Sequence, residues 1–340
     1  MQKIAELPLV EPMYSTYHNG IASAVLTNNL SIRNWYLNEV ISLECDRRFL
    51  NGYTTPNIGV AGSAIANNPY IERVYIPMTF LKGCLNQIIR NLIDDGYYVY
   101  FLGIDDYYVP GKSWYKERHF RHDGTICGYN QIDKTYCIYA YDTNWIYQKF
   151  WTPQKCFNKG LEMVFKKDTY GNICAIKPKL VEVCFSADTA LKGIVKYLDS
   201  DMEKYPEDEQ GHVFGIIVQE YIAKYVGKLL DGSIPYERMD RRVFRMIWEH
   251  KKVMLERIKM IEESLDLGNE ISELYKTLVA EANTIRMLYA SHHMKRRDSV
   301  LPVIQKKLIQ LMQDERKLLE QLLDKTERKS ENESVEAAEK

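Results

Sequence analysis

The chain lacks most of the features that announce a function outright. Its seven cysteines are odd in number and scattered, at 45, 84, 127, 137, 156, 174 and 184, with no C-x-x-C pair and no histidine at metal-ligand spacing. That argues against a disulfide framework and against a metal site, and leaves reduced thiols that serve mostly as small core residues. No run approaches the roughly 18 uncharged apolar residues of a membrane span, and "MQKIAELPLVEPMYST" has no apolar core of signal-peptide length. A cytoplasmic location with no membrane partner is therefore expected. Neither sign of charge dominates: 45 Lys and Arg stand against 46 Asp and Glu, a formal net charge of -1, so nothing in bulk draws the molecule to nucleic acid. "NIGVAGSAIANN" is rich in Gly and Ala, but it does not open a helix after a strand with phosphate-loop spacing. No cofactor is expected.

Tyrosine is what the sequence has in excess, 25 residues in all. They concentrate before residue 150, as in "GYYVYFLGIDDYYVPGKSWY", which suits strands and a groove that is both apolar and hydrogen-bonding. At 340 residues with 46% hydrophobic content, the chain is long enough for one large domain or two ordinary ones.

The hydrophobic period divides it near residue 185. Before that point the pattern mixes helix and strand. "HNGIASAVLTNN" reads as a short buried helix behind the N-cap candidates Ser15 and Thr16. "MTFLKGCLNQIIRNLIDDG" carries a helical stripe closed by Gly96. "YYVYFLGI" is a strand, "DDYYVPGKSWYKER" a polar loop, and a hairpin follows. "GLEMVFKKD" and "NICAIKPKLVEVCF" read as two further strands. From 186 the period is 3.6: "FGIIVQEYIAKYVGKLLDG", "DRRVFRMIWEHKKVMLERIKMIEESL", "ISELYKTLVAEANTIRMLYASHH" and "VLPVIQKKLIQLMQDERKLLEQLLDK" are amphipathic helices of a bundle. "TERKSENESVEAAEK" has almost no apolar residues and reads as disordered. The expected organisation is a mixed α+β domain over 1–185, a helical domain over 186–325 and a disordered tail over 326–340.

The hairpin, "HDGTICGYNQIDKTYCIYAYDTNW" at 122–145, places a histidine and an aspartate at its open ends. A five-residue turn at 130–134 makes His122 and Asp142 direct cross-strand neighbours on one face, whereas a two- or four-residue turn puts them on opposite faces. Two readings stand at this point. Both residues are the solvated ends of strands, or the carboxylate orients the imidazole as in a nucleophile–base–acid relay. His119 is the alternative base, and Asp105–Asp106 is either a loop start or an acidic site element. "EHKK" at 249–252 and "HH" at 292–293 read as solvated helix faces rather than metal ligands.

These runs carry a resemblance. "GYYVYFLGIDDYYVPG", "HFRHDGTICGYN" and "YCIYAYDTNW" resemble the N-terminal-domain family of butirosin biosynthesis protein H, which is papain-like, and the helical half is similar to relatives in bacterial peptide and aminoglycoside natural-product pathways. The resemblance spans most of residues 10–325. It implies a papain-like domain of helices packed on an antiparallel sheet, with a Cys-His-Asp site. That site takes an acyl group from an acyl or peptidyl carrier-protein thioester and passes it to an amine on a small-molecule or peptide acceptor. The His and Asp carry over onto His122 and Asp142. The nucleophile does not: the family's Cys begins the first buried helix, and here "STYHNGIASAV" puts Thr16 at that place. A helix N-terminus prepares a thiolate but not an alkoxide, so Thr16 is either a nucleophile activated by His122 or simply an N-cap. Cys45, in "LECDRRF", is the next candidate by elimination, although its apolar flank reads as an ordinary thiol buried in a helix. An acyltransferase with a Thr or degenerate Cys site and a catalytically retired scaffold that binds a carrier protein or peptide are the two functions to separate. A peptidase is disfavoured, because it needs the missing thiol as much as the transferase does.

Overall fold

The computed structural model describes residues 3–15, 29–52, 55–63, 68–81, 83–144, 146–166, 172–200, 211–240 and 242–338. In chain order the strands are β1 (Ile4–Glu6), β2 (Leu43–Asp46), β3 (Gly59–Val60), β4 (Ile71–Pro77), β5 (Tyr98–Asp105), β6 (Arg121–Asn130), β7 (Thr135–Tyr141), β8 (Tyr147–Pro153), β9 (Asn172–Pro178) and β10 (His212–Phe214). The helices are α1 (Leu30–Glu39), α2 (Leu85–Asp94), α3 (Gln154–Phe165), α4 (Ala187–Asp199), α5 (Val218–Leu230), α6 (Val243–Ser264), α7 (Glu270–Lys295) and α8 (Leu301–Ala338). They divide into two compact units, Met1–Ile32 with Asn68–Glu182, and Arg33–Asn67 with Val183–Lys340.

The first unit is built on a seven-stranded antiparallel sheet in the order β4-β9-β5-β6-β7-β8, with β1 paired to β6. β1 takes the edge of β6 beyond the end of β5: Glu6 lies opposite Gly128, whereas β5 stops at Val99 opposite Ile126. Gly128 is required there, since a Cβ would lie 2.6 Å from the Ala5 carbonyl oxygen. Ile89 and Ile93 of α2 and Phe157 and Leu161 of α3 share one core with Phe101 and Ile138 of the sheet. Burying each such side chain is worth about 1.5–3 kcal/mol. Gly160 brings α3 against the end of β5, for a Cβ at 160 would meet the Asp105 carbonyl oxygen at 2.9 Å. That contact fixes where β5 delivers Asp105 and Asp106.

The second unit is helical, with a small β10-β2-β3 sheet. Apolar residues at helical spacing, such as Ile304, Leu308, Leu311, Leu319 and Leu322 of α8, are fully buried. Residues 33–67, which the period assigned to the first domain, belong here for a definite reason. Arg257 of α6 is fully buried and donates to the carbonyls of Tyr36, Leu37 and Val40 at 3.1, 2.7 and 2.9 Å, capping the end of α1. Beside it, the His250 Nε2–H donates to the Ile41 carbonyl at 2.8 Å.

Several local expectations need correction. "GLEMVF" ends α3 rather than forming a strand, and in "NICAIKPKLVEVCF" only Asn172–Pro178 is extended in the sheet. The segment "EHKK" is not a solvated face: Glu249, His250 and Lys251 are buried, as is His292. The polar tail continues α8 to Ala338, because its Glu, Lys and Ala are strong helix formers and no Gly or Pro interrupts them. Most of "HNGIASAVLTNN" lies outside the described residues.

Candidate functional site

The first unit's charged side chains collect where β5 ends and β6 begins. Ile104 pairs with His122 and Asp105 with Arg121, so Asp105–Asp106 on one strand and His119–His122 on the approach to the other are brought alongside. Asp105 caps the 3-10 turn Asp106–Tyr108, accepting from the Tyr107 N–H at 3.2 Å.

His122 is half-buried, its side chain 22% exposed, and its Nδ1 lies 3.4 Å from Asp106 Oδ2. Asp106 is fully buried, and neither of its carboxylate oxygens has a hydrogen bond among the described residues. Its second neighbour is Lys112, also fully buried, with Nζ 3.4 Å from Asp106 Oδ1 and 3.3 Å from His122 Nδ1. Burial lowers the Lys112 ammonium from its ordinary pKa, while Asp106 and Asp123 pull it back up. The Tyr141 ring stacks on His122 at 5.9 Å and 5°, and the Tyr141 hydroxyl donates to the Ser15 carbonyl at 2.9 Å. The chain at Ser15 is thereby pinned beside the imidazole. Thr16 itself lies outside the described residues.

A second pair sits next to the first. His119 Nδ1 is 2.7 Å from Asp105 Oδ2, its ring stacks on Tyr107 at 4.4 Å, and its side chain is 59% exposed. Because a carboxylate accepts, the hydrogen of this bond sits on His119 Nδ1.

Asp142 is placed differently from the relay expectation. The turn between β6 and β7 has four residues, 131–134, which alone would set His122 and Asp142 on opposite faces. A bulge at Cys127, between Ile126 and Gly128, restores the missing residue, so that Thr125 faces Tyr139. The register toward the open end is thus the one a five-residue turn would give. The carboxylate nevertheless turns away from the histidine. Its Oδ1 accepts from the Asn144 and Ile146 N–H groups at 2.8 and 2.9 Å, and its Oδ2 from the Gln148 amide at 2.5 Å. Burial would raise the Asp142 pKa, but these donors hold it below the ordinary carboxylate range. Among the described residues no hydrogen bond or ion pair joins His122 to Asp142. The carboxylate behind His122 is Asp106, from the "DD" that sequence reasoning kept only as a minor element. The signal for it was its place at the end of a strand predicted to enter the core.

The cysteines sort by exposure. Cys45 lies in β2, not in a helix. It is fully buried with its thiol toward the Pro56 carbonyl at 3.3 Å, and burial pushes its pKa far up. A thiol so held is not a nucleophile. Cys84 is exposed, at the start of α2, on a groove of about 860 Å³ lined by Met78, Leu81, Leu85, Asn86 and Phe165. The sequence alone gave it no distinction from the other cysteines. Among the described residues no three His, Cys, Asp or Glu side chains gather as metal ligands, and no helix is long and apolar enough to cross a membrane.

Compared with protein-family models and with curated proteins, the sequence matches none. The chemistry must therefore be argued from the side chains. For His122 to accept a proton at Nε2, its Nδ1 must carry hydrogen and donate to Asp106. A charged Lys112 donating to Nδ1 imposes the opposite tautomer, with the proton already on Nε2. At 3.3–3.4 Å both contacts are longer than a normal hydrogen bond, so neither tautomer is fixed by them.

Proposed function

We propose that the first unit is a papain-like domain that transfers an acyl group from a carrier-protein thioester to an amine acceptor, with His122 as general base. The observation that carries this is the half-buried imidazole of His122 backed by the fully buried carboxylate of Asp106, whose other ion-pair partner is Lys112. Asp106 takes the orienting part that the family resemblance gave to Asp142. In the reaction His122 accepts the nucleophile's proton as that nucleophile adds to the thioester carbonyl. The carrier thiol leaves with the proton; an amine then attacks the acyl-enzyme, His122 taking its proton and returning it to the enzyme nucleophile as the acyl–enzyme bond breaks to give the amide. The resemblance puts a Cys where this chain has Thr16, so Thr16 is the candidate nucleophile by position in the sequence alone, and it lies outside the described residues. An antiparallel sheet sharing a core with helices supports the papain-like assignment.

The test is amide formation from an acyl-N-acetylcysteamine thioester and a primary amine. His122→Asn and Asp106→Asn are each expected to lower turnover by about 10²–10⁴-fold, whereas Asp142→Asn lowers it far less. Undiminished turnover in His122→Asn would remove the proposal. One observation favours a second reading, the retired scaffold. Lys112 lies as close to His122 Nδ1 as Asp106 does, and if it holds Nε2 protonated the cleft binds a carrier protein or peptide without turning it over. Carrier binding with no amide product from the wild-type chain would decide for that reading.

A further inference from the structure

We propose that the groove between α2 and α3 of the sheet unit binds a small amphiphilic carboxylate, with its apolar body against Met78, Leu81, Leu85 and Phe165 and its carboxylate on the guanidinium of Arg90. The groove has a volume of about 860 Å³, inside the range of about 300–1,000 Å³ usual for small-molecule sites. Neither His122 nor Asp106 lines it, so the proposal stands apart from the acyl-transfer reading.

The apolar wall follows from how the core of this unit is closed. Leu81 is part of that core, and Met78, Leu85 and Phe165 are only partly buried against it. Their remaining surface lines the groove, where an apolar body would take it out of water. The polar wall is fixed in place. Asn86 Oδ1 accepts from the Tyr136 hydroxyl at 2.6 Å and from the Asn158 amide at 2.9 Å, which leaves the Asn86 amide as a donor.

The head group is selected by the charges already spent. Arg90 is half-buried, and among the described residues its one side-chain hydrogen bond is to a neutral acceptor, Gln87 Oε1, at 2.7 Å. Asp94, one turn on, is taken up by Lys3 and by the Tyr129 hydroxyl, each at 2.7 Å. Glu162, the one acid on the groove among the described residues, is answered by Lys166 at 2.8 Å and Lys159 at 3.4 Å. A cationic ligand would therefore find no carboxylate to receive it. A carboxylate is matched by a single guanidinium fork, whereas a phosphate monoester brings three oxygens and close to two charges to the same one arginine.

The experiment uses the full chain, with decanoate below its micelle-forming concentration as the probe, and follows iodoacetamide labelling of single cysteines by peptide mass spectrometry. Cys84 is exposed on the groove, and Cys184, exposed in the helical unit, is the internal control. Saturating decanoate should slow labelling of Cys84 about fivefold or more and leave Cys184 unchanged. Arg90→Gln should raise the decanoate concentration for half-protection about tenfold or more. Decanol on the wild-type chain should require a similar excess, and it decides the matter where circular dichroism shows the variant misfolded. Absence of protection at Cys84, equal protection at Cys184, half-protection unchanged in a folded Arg90→Gln chain, decanol as effective as decanoate, or stronger protection by decyl phosphate or decyltrimethylammonium would each overturn the proposal.

Discussion

Among the described residues each unit buries one lysine against one acid, and the two pairs are built to opposite specifications. In the helical unit Lys251 Nζ lies 2.5 Å from Glu315 Oε2, and the same oxygen accepts from Tyr197 and Gln219 at 2.9 and 2.7 Å. Tyr275 donates to Glu315 Oε1 at 2.5 Å. Both carboxylate oxygens are bonded, Oε2 by three donors and Oε1 by one, and α4, α5, α6, α7 and α8 are joined at one point. In the sheet unit Lys112 and Asp106 stand 3.4 Å apart, Asp106 has no hydrogen bond among the described residues, and the third member of the cluster, His122, reaches the surface. A saturated network rigidifies, whereas an unsaturated one holds its charge ready for something else. Burial alone does not separate structural from functional ionic groups; hydrogen-bond satisfaction and a path to solvent do.

The largest effect should come from breaking the saturated pair. Glu315→Gln leaves the Lys251 charge buried with neutral partners, and should cost the helical unit about 3–5 kcal/mol, read by urea unfolding under circular dichroism. Asp106→Asn should cost only about 1–3 kcal/mol, although under the proposed acyl transfer it is the variant expected to lower turnover. Burial lowers both lysines in pKa, so the difference lies in the acids: Glu315 loses acceptor strength toward Tyr197, Gln219 and Tyr275, whereas Asp106 has no hydrogen bond to lose among the described residues. Equal costs for the two substitutions would erase the distinction between the pairs.

A pH titration sharpens it. His250, beside Lys251, Glu315 and Arg257, has its pKa brought down to about 3, first by burial and then by the Lys251 charge. Its folded value lies below the unfolded one near 6.5, so the stability it contributes is complete above about 6.5 and is lost as pH falls toward 3. The slope is up to about 1.4 kcal/mol per pH unit. Glu315, also lowered, adds a slope of the same sign below its ordinary range. His250→Gln keeps an N–H for the Ile41 carbonyl and should flatten the curve between about pH 6 and 4.5. An unchanged slope would mean that His250 is protonated in the folded chain.

The sequence exposed these features unequally. Helical stripes such as Ile222, Tyr225 and Val226 could be read because burial on one side imposes a 3.6 period. The β6–β7 hairpin could be read from its two β-rich runs. What could not be read was non-local. Residues 33–67 join the helices through Arg257 and His250, contacts more than 200 positions apart in the chain, and no local period reports them. At the site, His122 was found because it begins an apolar strand. Asp142 was favoured over Asp106 because cross-strand register is a local argument, while the choice between two carboxylates depends on where the 142–148 turn sends its N–H groups. Lys112 carried no signal at all, since a lysine in a polar loop is expected to be solvated.

The smallest expected effect is a null one, and it tests whether the two networks govern separate structures. Cys45 is buried in the helical unit, Cys127 and Cys137 in the sheet unit, and Cys84 and Cys184 are exposed. Alkylation in native buffer should modify Cys84 and Cys184 first, because a buried thiol reacts only when its surroundings open. Glu315→Gln, by loosening the helices around Lys251, should then raise the rate at Cys45, which mass spectrometry of peptides reads directly. Cys127 and Cys137, packed 3.5 Å apart between β6 and β7, should label no faster than in wild type. If they accelerate in step with Cys45, the chain opens as one cooperative body, and the saturated pair stabilises the sheet that carries His122 as well as the bundle in which it lies.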